Sequence, residues 1–165
     1  MIHHLTLAGA LLVCSDMRPG DAACVRAMAG CEPGEWFAAE RFQRDGVGLE
    51  LTQDGKPWAI CGLSFPNSWT GILWMVARPG LTGESWRKLI RRARIVLGRV
   101  TDPACSEYRH RVEAHVLEGW TEAADFAGRL GFQLEHTRAG GGSGGENLQT
   151  WVMLGQPRLS ARPWR

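Results

Sequence analysis

The sequence predicts an α+β domain: a mixed, mostly antiparallel central sheet of about six to seven strands flanked by about four helices. Three observations carry this. Strand and helix signals alternate in the order strand, helix, helix, three strands, helix, strand, helix, two strands. A continuous apolar run, Gly71 to Arg78, lies between segments that alternate apolar and polar residues, as a central strand buried on both faces would. Downstream, Trp86, Leu89, Ile90, Ala93, Val96, Leu97 and Val100 recur at three and four residues, with Arg87, Lys88, Arg91, Arg92, Arg94 and Arg99 between them, which makes an amphipathic basic helix.

Element by element, Leu11 to Met17 is expected to be a strand. Arg18, Pro19 and Gly20 turn the chain into a helix capped by Asp21, which runs through Val25 and Met28 to a stop at Gly30. Pro33 suits the first turn of a second helix; Trp36, Phe37 and Glu40 share its spacing, and Gly46 follows its basic end at Arg41 and Arg44. Val47 to Thr52 and Pro57 to Leu63 form a hairpin about Asp54 and Gly55. Asp102 and Pro103 end the basic helix. Arg111 to Leu117 alternates, Glu122 to Leu130 is a short helix stopped by Gly131, and two strands, Phe132 to Thr137 and Leu148 to Leu154, flank a glycine-rich loop over residues 140–145.

Composition narrows the class. With 165 residues, 44% apolar and 22% charged, the chain suits a single domain, 1–154, followed by a Pro/Arg/Trp tail, 155–165. The longest apolar run, Leu5 to Cys14, is broken by Thr6 and Gly9 and is shorter than the roughly 20 residues a spanning helix needs. No basic leader or small-residue cleavage site accompanies it, so an intracellular product is expected. The five cysteines are scattered, without a Cys-x-x-Cys pair, and are expected to be reduced and packed; Cys61 is expected in the core. Eight tryptophans are far above ordinary usage. Trp58, Trp74, Trp86, Trp120 and Trp151 fall on elements and are expected in the core. Trp36 and Trp69 are not assigned, and Trp164 stands in the tail beside Arg158, Arg162 and Arg165, the composition of an interface anchor.

The stretch Val112 to Glu135, VEAHVLEGWTEAADFAGRLGFQLE, resembles the last motif of the GNAT N-acetyltransferase superfamily, and Met17, Arg18, Pro19, Gly20, Asp21 resembles its first strand-to-helix junction. Asp54 to Gly62, the tryptophan-bearing fourth strand and the basic helix are similar to small GNAT-like proteins of tailed bacteriophages, including internal virion proteins of short-tailed phages. As topology, the resemblance covers most of residues 11–154. It implies a site in which the pyrophosphate of acetyl-CoA rests on backbone N–H groups at a helix N-terminus after the fourth strand. Arg78, Gly80, Gly83 and Arg87 are the residues that would hold it. Leu81 stands where the family places a glycine, Pro79 removes a donor, and Glu84 competes with phosphate for the helix dipole. The family tyrosine that protonates the departing thiolate is Ala127 here, and the frequent asparagine seven residues earlier is Trp120. The single tyrosine, Tyr108, precedes the fifth strand. Glu50, Glu113 or His115 would be the general base, the last two sharing parity on one strand.

The resemblance therefore implies a bacteriophage protein with a degenerate acyl-CoA site and no bound cofactor. Such a protein would be virion-associated or ejected and would dock on other phage proteins of the portal, tail or internal core, or on copies of itself, in the host cytoplasm and then in the particle. The alternative is an active acetyl-CoA-dependent N-acetyltransferase acting on a host protein or small amine. The basic helix could serve the cofactor phosphates, an acidic protein surface or nucleic acid, or be a solvated face, but a net charge of +2 is modest for a nucleic-acid binder.

Overall fold

The computed structural model describes residues 1–44 and 46–156. Its elements are β1 (Ile2–His4), α1 (Leu7–Cys14), α2 (Pro19–Ala29), α3 (Glu35–Gln43), β2 (Gly46–Gln53), β3 (Lys56–Ser64), β4 (Thr70–Ala77), α4 (Gly83–Val100), β5 (Arg111–Leu117), α5 (Thr121–Leu130), β6 (Gln133–Arg138) and β7 (Leu148–Leu154). Seven strands form one sheet in the order β1-β2-β3-β4-β5-β7-β6, antiparallel at every pairing except β4 with β5. The α+β class and mixed sheet are those expected, with one helix more.

That helix is α1, and it corrects the expectation of a strand at Leu11 to Met17. Thr6 caps it, its side chain accepting from the Gly9 N–H at 3.0 Å, and the Glu50 carboxylate accepts from the Thr6 hydroxyl at 2.8 Å. A ten-residue apolar stretch has no period that separates buried helix from buried strand. Its cap and its docking on the sheet decide. The first strand is instead the short β1, paired with β2 through Ile2 opposite Leu51. The segment before Pro19 is consequently helix and loop, unlike the strand-to-helix junction that Met17 to Asp21 resembles.

Elsewhere local chemistry sets the boundaries. Asp54 (φ 51°) and Gly55 (φ 73°) are both left-handed, as a two-residue hairpin turn between β2 and β3 requires. Gly30 and Gly131 close α2 and α5 in the left-handed conformation. Pro33 lies ahead of α3, whose N-cap is Gly34. Arg18 caps α2 and Pro19 takes its first position, while Asp21 lies in the first turn. Thr82 caps α4, and Glu84 pairs with Lys88 one turn on at 2.6 Å.

Alternation along the strands sends Ile60, Trp74 and Val76 into a core beneath α1, α2 and α3, with Ala10, Val13, Val25 and Phe37. The opposite face carries Leu51, Ala59, Leu63 and Val112 against Leu89, Leu97, Leu130 and Phe132 of α4, α5 and the loop after it. Full burial of one such leucine contributes about 2 kcal/mol. Cys14, Cys24 and Cys61 are buried, and these three and Cys31 are free thiols; burial pushes Cys14 and Cys61 up to about 12. Among the tryptophans expected in the core, Trp74 is buried, whereas Trp58, Trp86, Trp120 and Trp151 are half-buried; Trp36 and Trp69 are exposed. No helix among the described residues is long and apolar enough to cross a membrane.

Candidate active site

β4 and β5 run side by side only from Thr70 to Leu73 against Arg111 to Ala114, after which they diverge. The gap opens a cavity of about 620 Å³ that reaches both faces of the sheet, within the range of roughly 300–1,000 Å³ usual for ligand sites. Its walls include Ile72 to Val76 of β4, Ala114 to Val116 of β5, Cys24 and Met28 of α2, Phe37 and Arg41 of α3, Trp86 and Ile90 of α4, and Trp120, Phe126 and Ala127 at α5. The divergence corrects the reading of β4 as a strand sealed on both faces, because Ile72, Leu73 and Met75 are only half-buried and line this space.

Along the splayed edge, the Arg18 N–H donates to the Ala77 carbonyl at 2.8 Å, and the Ala77 N–H donates to Asp21 Oδ2 at 3.1 Å. Backbone alternation places the Met75 N–H on the same edge, facing the gap beyond the last β4–β5 pair. Arg18 also fills the cleft between α4 and α5. Its guanidinium lies 4.9 Å from the Trp86 ring and 5.7 Å from the Trp120 ring, and its Nε donates to Asp21 Oδ2 at 2.6 Å. Trp120 can lie this close because α2 has glycine at position 20, where a Cβ would fall 2.4 Å from the indole. Burial, the dominant influence, pushes the Asp21 carboxyl up, while the Arg18 hydrogen bond and charge pull it down.

The four phosphate candidates are close in sequence, Arg78 and Gly80 in the loop before α4, Gly83 at its first position and Arg87 on its exposed second turn. Arg78 is turned away: it donates to Asp16 at 3.0 and 2.9 Å and lies 4.8 Å over the Trp58 ring. Gly80 is left-handed (φ 90°) with its carbonyl accepting from Gln53, and Gln53 Oε1 accepts from the Thr82 N–H at 3.0 Å. Side chains of the protein thus take donors that a phosphate would use. Leu81 is half-buried and packs against the core, and Ala127, at the position where the resemblance leads one to expect a tyrosine, is buried.

The base candidates separate. Glu50 is buried under α1, held by Thr6, and lines no part of the cavity. The Glu113 carboxylate accepts from Arg111 Nε at 2.5 Å, and Arg111 also grips Glu135 with both terminal nitrogens. His115 does line the cavity, with Nε2 3.5 Å from Glu113 and Nδ1 3.5 Å from the Thr150 hydroxyl. Burial pulls its pKa below the usual histidine value, only partly offset by Glu113, so the folded state favours neutral imidazole. Tyr108 donates to the Gln156 carbonyl and lies outside the cavity. The tail residues Arg158, Arg162, Trp164 and Arg165 fall outside the described residues.

The His115 shift has a measurable consequence. Unfolded, the imidazole takes up a proton as pH falls through its ordinary value of about 6.5; folded, it does so only at lower pH. Stability is therefore lost across that window on acidification, and none of this contribution is lost above it. Thermal melts between pH 7.5 and 5 should show a smaller decline for His115→Gln than for the wild type; parallel curves would refute the assignment.

Arg18, Asp21, Arg41 and Trp86 were not among the residues assigned to this site from the sequence, although the Arg18/Asp21 spacing of three on a helix start is the signature of a local ion pair.

A mixed sheet split between its fourth and fifth strands, with two helices on one face of the sheet and three on the other, is the GNAT acetyltransferase fold. Structures similar to this chain include the ribosomal-protein-S18-alanine N-acetyltransferase from Escherichia coli, at 15% identity and TM-score 0.71, covering 98% of both chains. Another is a putative acetyltransferase, yncA, from Salmonella typhimurium with its cofactor acetyl-CoA, at 13% identity and TM-score 0.71, covering 98% of this chain and 97% of that one. A third is a ribosomal-protein-alanine N-acetyltransferase from Brucella melitensis, at 13% identity and TM-score 0.64, covering 93% and 99%. In sequence the chain matches no family model and no curated protein.

Proposed function

We propose that this chain is a GNAT-fold bacteriophage protein whose acyl-CoA groove is occupied by its own side chains, and that it works through its outer faces as a virion-associated or ejected component docking on other phage proteins. The observation that carries the first part is Arg18, wedged between Trp86 and Trp120 and tied through its N–H and Asp21 to both polar groups of Ala77. A thioester arm laid along the open edge of β4 would have to displace a half-buried ion pair and its two aromatic walls. The Gln53 side chain, accepting from the Thr82 N–H ahead of α4, and Leu81, packed against the core, act in the same direction at the pyrophosphate position. The virion role is supported by the likeness of Asp54 to Gly62 and of the basic helix to phage proteins, and by the Arg158, Arg162, Trp164, Arg165 tail as docking element.

Calorimetric titration with acetyl-CoA is expected to give no measurable heat, and micromolar affinity would overturn the occupied-groove reading. A contact map of assembled particles is expected to place the chain against portal, tail or internal core proteins; its absence from particles would remove the virion role.

A second reading, an active N-acetyltransferase, is favoured by His115. A neutral imidazole on the cavity wall is suited to take a proton from an amine, and the Met75 N–H faces the gap where it could polarise a thioester carbonyl. In that case Arg78, Gly80, Gly83 and Arg87 would hold acetyl-CoA. Turnover of acetyl-CoA with any of a panel of amines would establish it.

A further inference from the structure

Across the cavity from Trp86, the α3 wall carries charge that the proposals above do not use. Arg41 is 90% buried by side chain (10% exposed), with its guanidinium 4.8 Å from the Phe37 ring and 5.5 Å from the Trp74 ring. Its Nε is 3.1 Å from Glu40 Oε2, yet neither atom has a hydrogen-bond partner among the described residues. Glu40 is meanwhile held through its other oxygen by Arg44. Among the described residues, two cations thus share one carboxylate at this end, leaving one positive charge in excess. At the α5 end, Glu122 and Asp125 outnumber Arg129, and Arg18 is neutralised by Asp21. Between the two ends the walls are apolar: Val25, Met28, Ile72, Trp74 and Val76.

We propose that the α3 end of this cavity binds the carboxylate of a small apolar monocarboxylic acid, with the acid group on Arg41 and the apolar body stacked along Trp74 towards the β4–β5 gap. With Nε buried against Glu40, the terminal nitrogens of the Arg41 guanidinium, which have no hydrogen-bond partner among the described residues, are the paired donors the cavity wall offers to a carboxylate, and the aromatic surroundings strengthen the bond by excluding water. A polyanion is disfavoured, because the far end of the cavity carries net negative charge. The site does not depend on acetyl-CoA binding, since Arg41 and Arg18 line opposite parts of the cavity.

The test compares 4-phenylbutyrate with its neutral isostere 4-phenylbutyramide by calorimetry on the full chain. The acid should bind at least tenfold tighter than the amide. Arg41→Met should bring the acid down to the affinity of the amide while leaving amide binding within threefold, which also reports that the cavity still folds. Arg41→Lys should keep part of the preference, and Arg44→Met should change acid affinity less than threefold. Equal affinity for acid and amide, no binding of either at millimolar concentration, or undiminished acid binding by Arg41→Met would each overturn the proposal. Should Arg41→Met not fold, the acid-to-amide ratio of the wild type and Arg41→Lys decides it.

Discussion

Replacing Asp21 with alanine should destabilise the protein by about 3 kcal/mol, the lower end of what stripping one partner from a buried pair costs, because the Arg18 side chain keeps 23% exposure. In a chain of this length that lowers the melting midpoint by on the order of 10 °C. The carboxylate is 1% exposed, and its Oδ2 receives both the Arg18 guanidinium at 2.6 Å and the Ala77 N–H at 3.1 Å. Alanine leaves Arg18 between two indoles with no counter-charge and leaves the amide at the end of β4 without its acceptor. Asp21→Asn, which keeps an acceptor oxygen but not the charge, should lose less. A change below about 1 kcal/mol for Asp21→Ala, small against the usual buried-pair loss, would show that the pair contributes little and that the occupied groove is easily opened.

Gly62→Ala should be comparably damaging for a steric reason. A Cβ at position 62 of β3 would stand 2.2 Å from the Val47 carbonyl oxygen and 2.6 Å from the Trp74 indole. The first neighbour is main chain in the adjacent strand and cannot turn aside, and the second is the floor of the cavity. Overpacking of this kind costs about 1–3 kcal/mol and more where backbone must move, so the upper end of that range is expected. The near-ultraviolet circular dichroism should also change as Trp74 tilts. Gly83→Ala is the control: nothing lies within 4 Å of its Cβ at the first position of α4, and stability should be unchanged or slightly higher. Equal stability of Gly62→Ala and wild type would contradict the packing described.

The parts of the fold visible in the sequence are those whose chemistry is local. Asp54 and Gly55 announce the hairpin, Gly131 ends α5, and the three-and-four spacing from Trp86 to Val100 describes α4 almost to its ends. The strand expected at Leu11 to Met17 is instead the end of α1 and the loop after it, because a short apolar run carries no period that separates helix from strand, and the helical state of Leu7 to Cys14 rests on Thr6 and on Glu50 from a distant strand. The parting of β4 from β5 leaves no trace in either strand's pattern, since it depends on where a parallel ladder stops. For the site, parity on β5 did bring Glu113 and His115 together, but could not say that Arg111 engages one and the cavity receives the other. Arg41 did leave a signal: it follows Phe37 by four residues and so shares the buried face of α3, where a cation is out of place unless something answers it.

The place where the ladder between the fourth and fifth strands gives out also determines how the molecule can deform. Hydrogen bonding across the middle of the sheet is confined to one end, so β1–β4 and β5–β7 behave as two leaves on a common spine, with α4 and α5 packed across the seam. The width of the opening is then a property of the spine and of whatever wedge sits in the mouth. Arg18 with its two indoles is such a wedge, and it couples the spacing of the leaves to the first turn of α2.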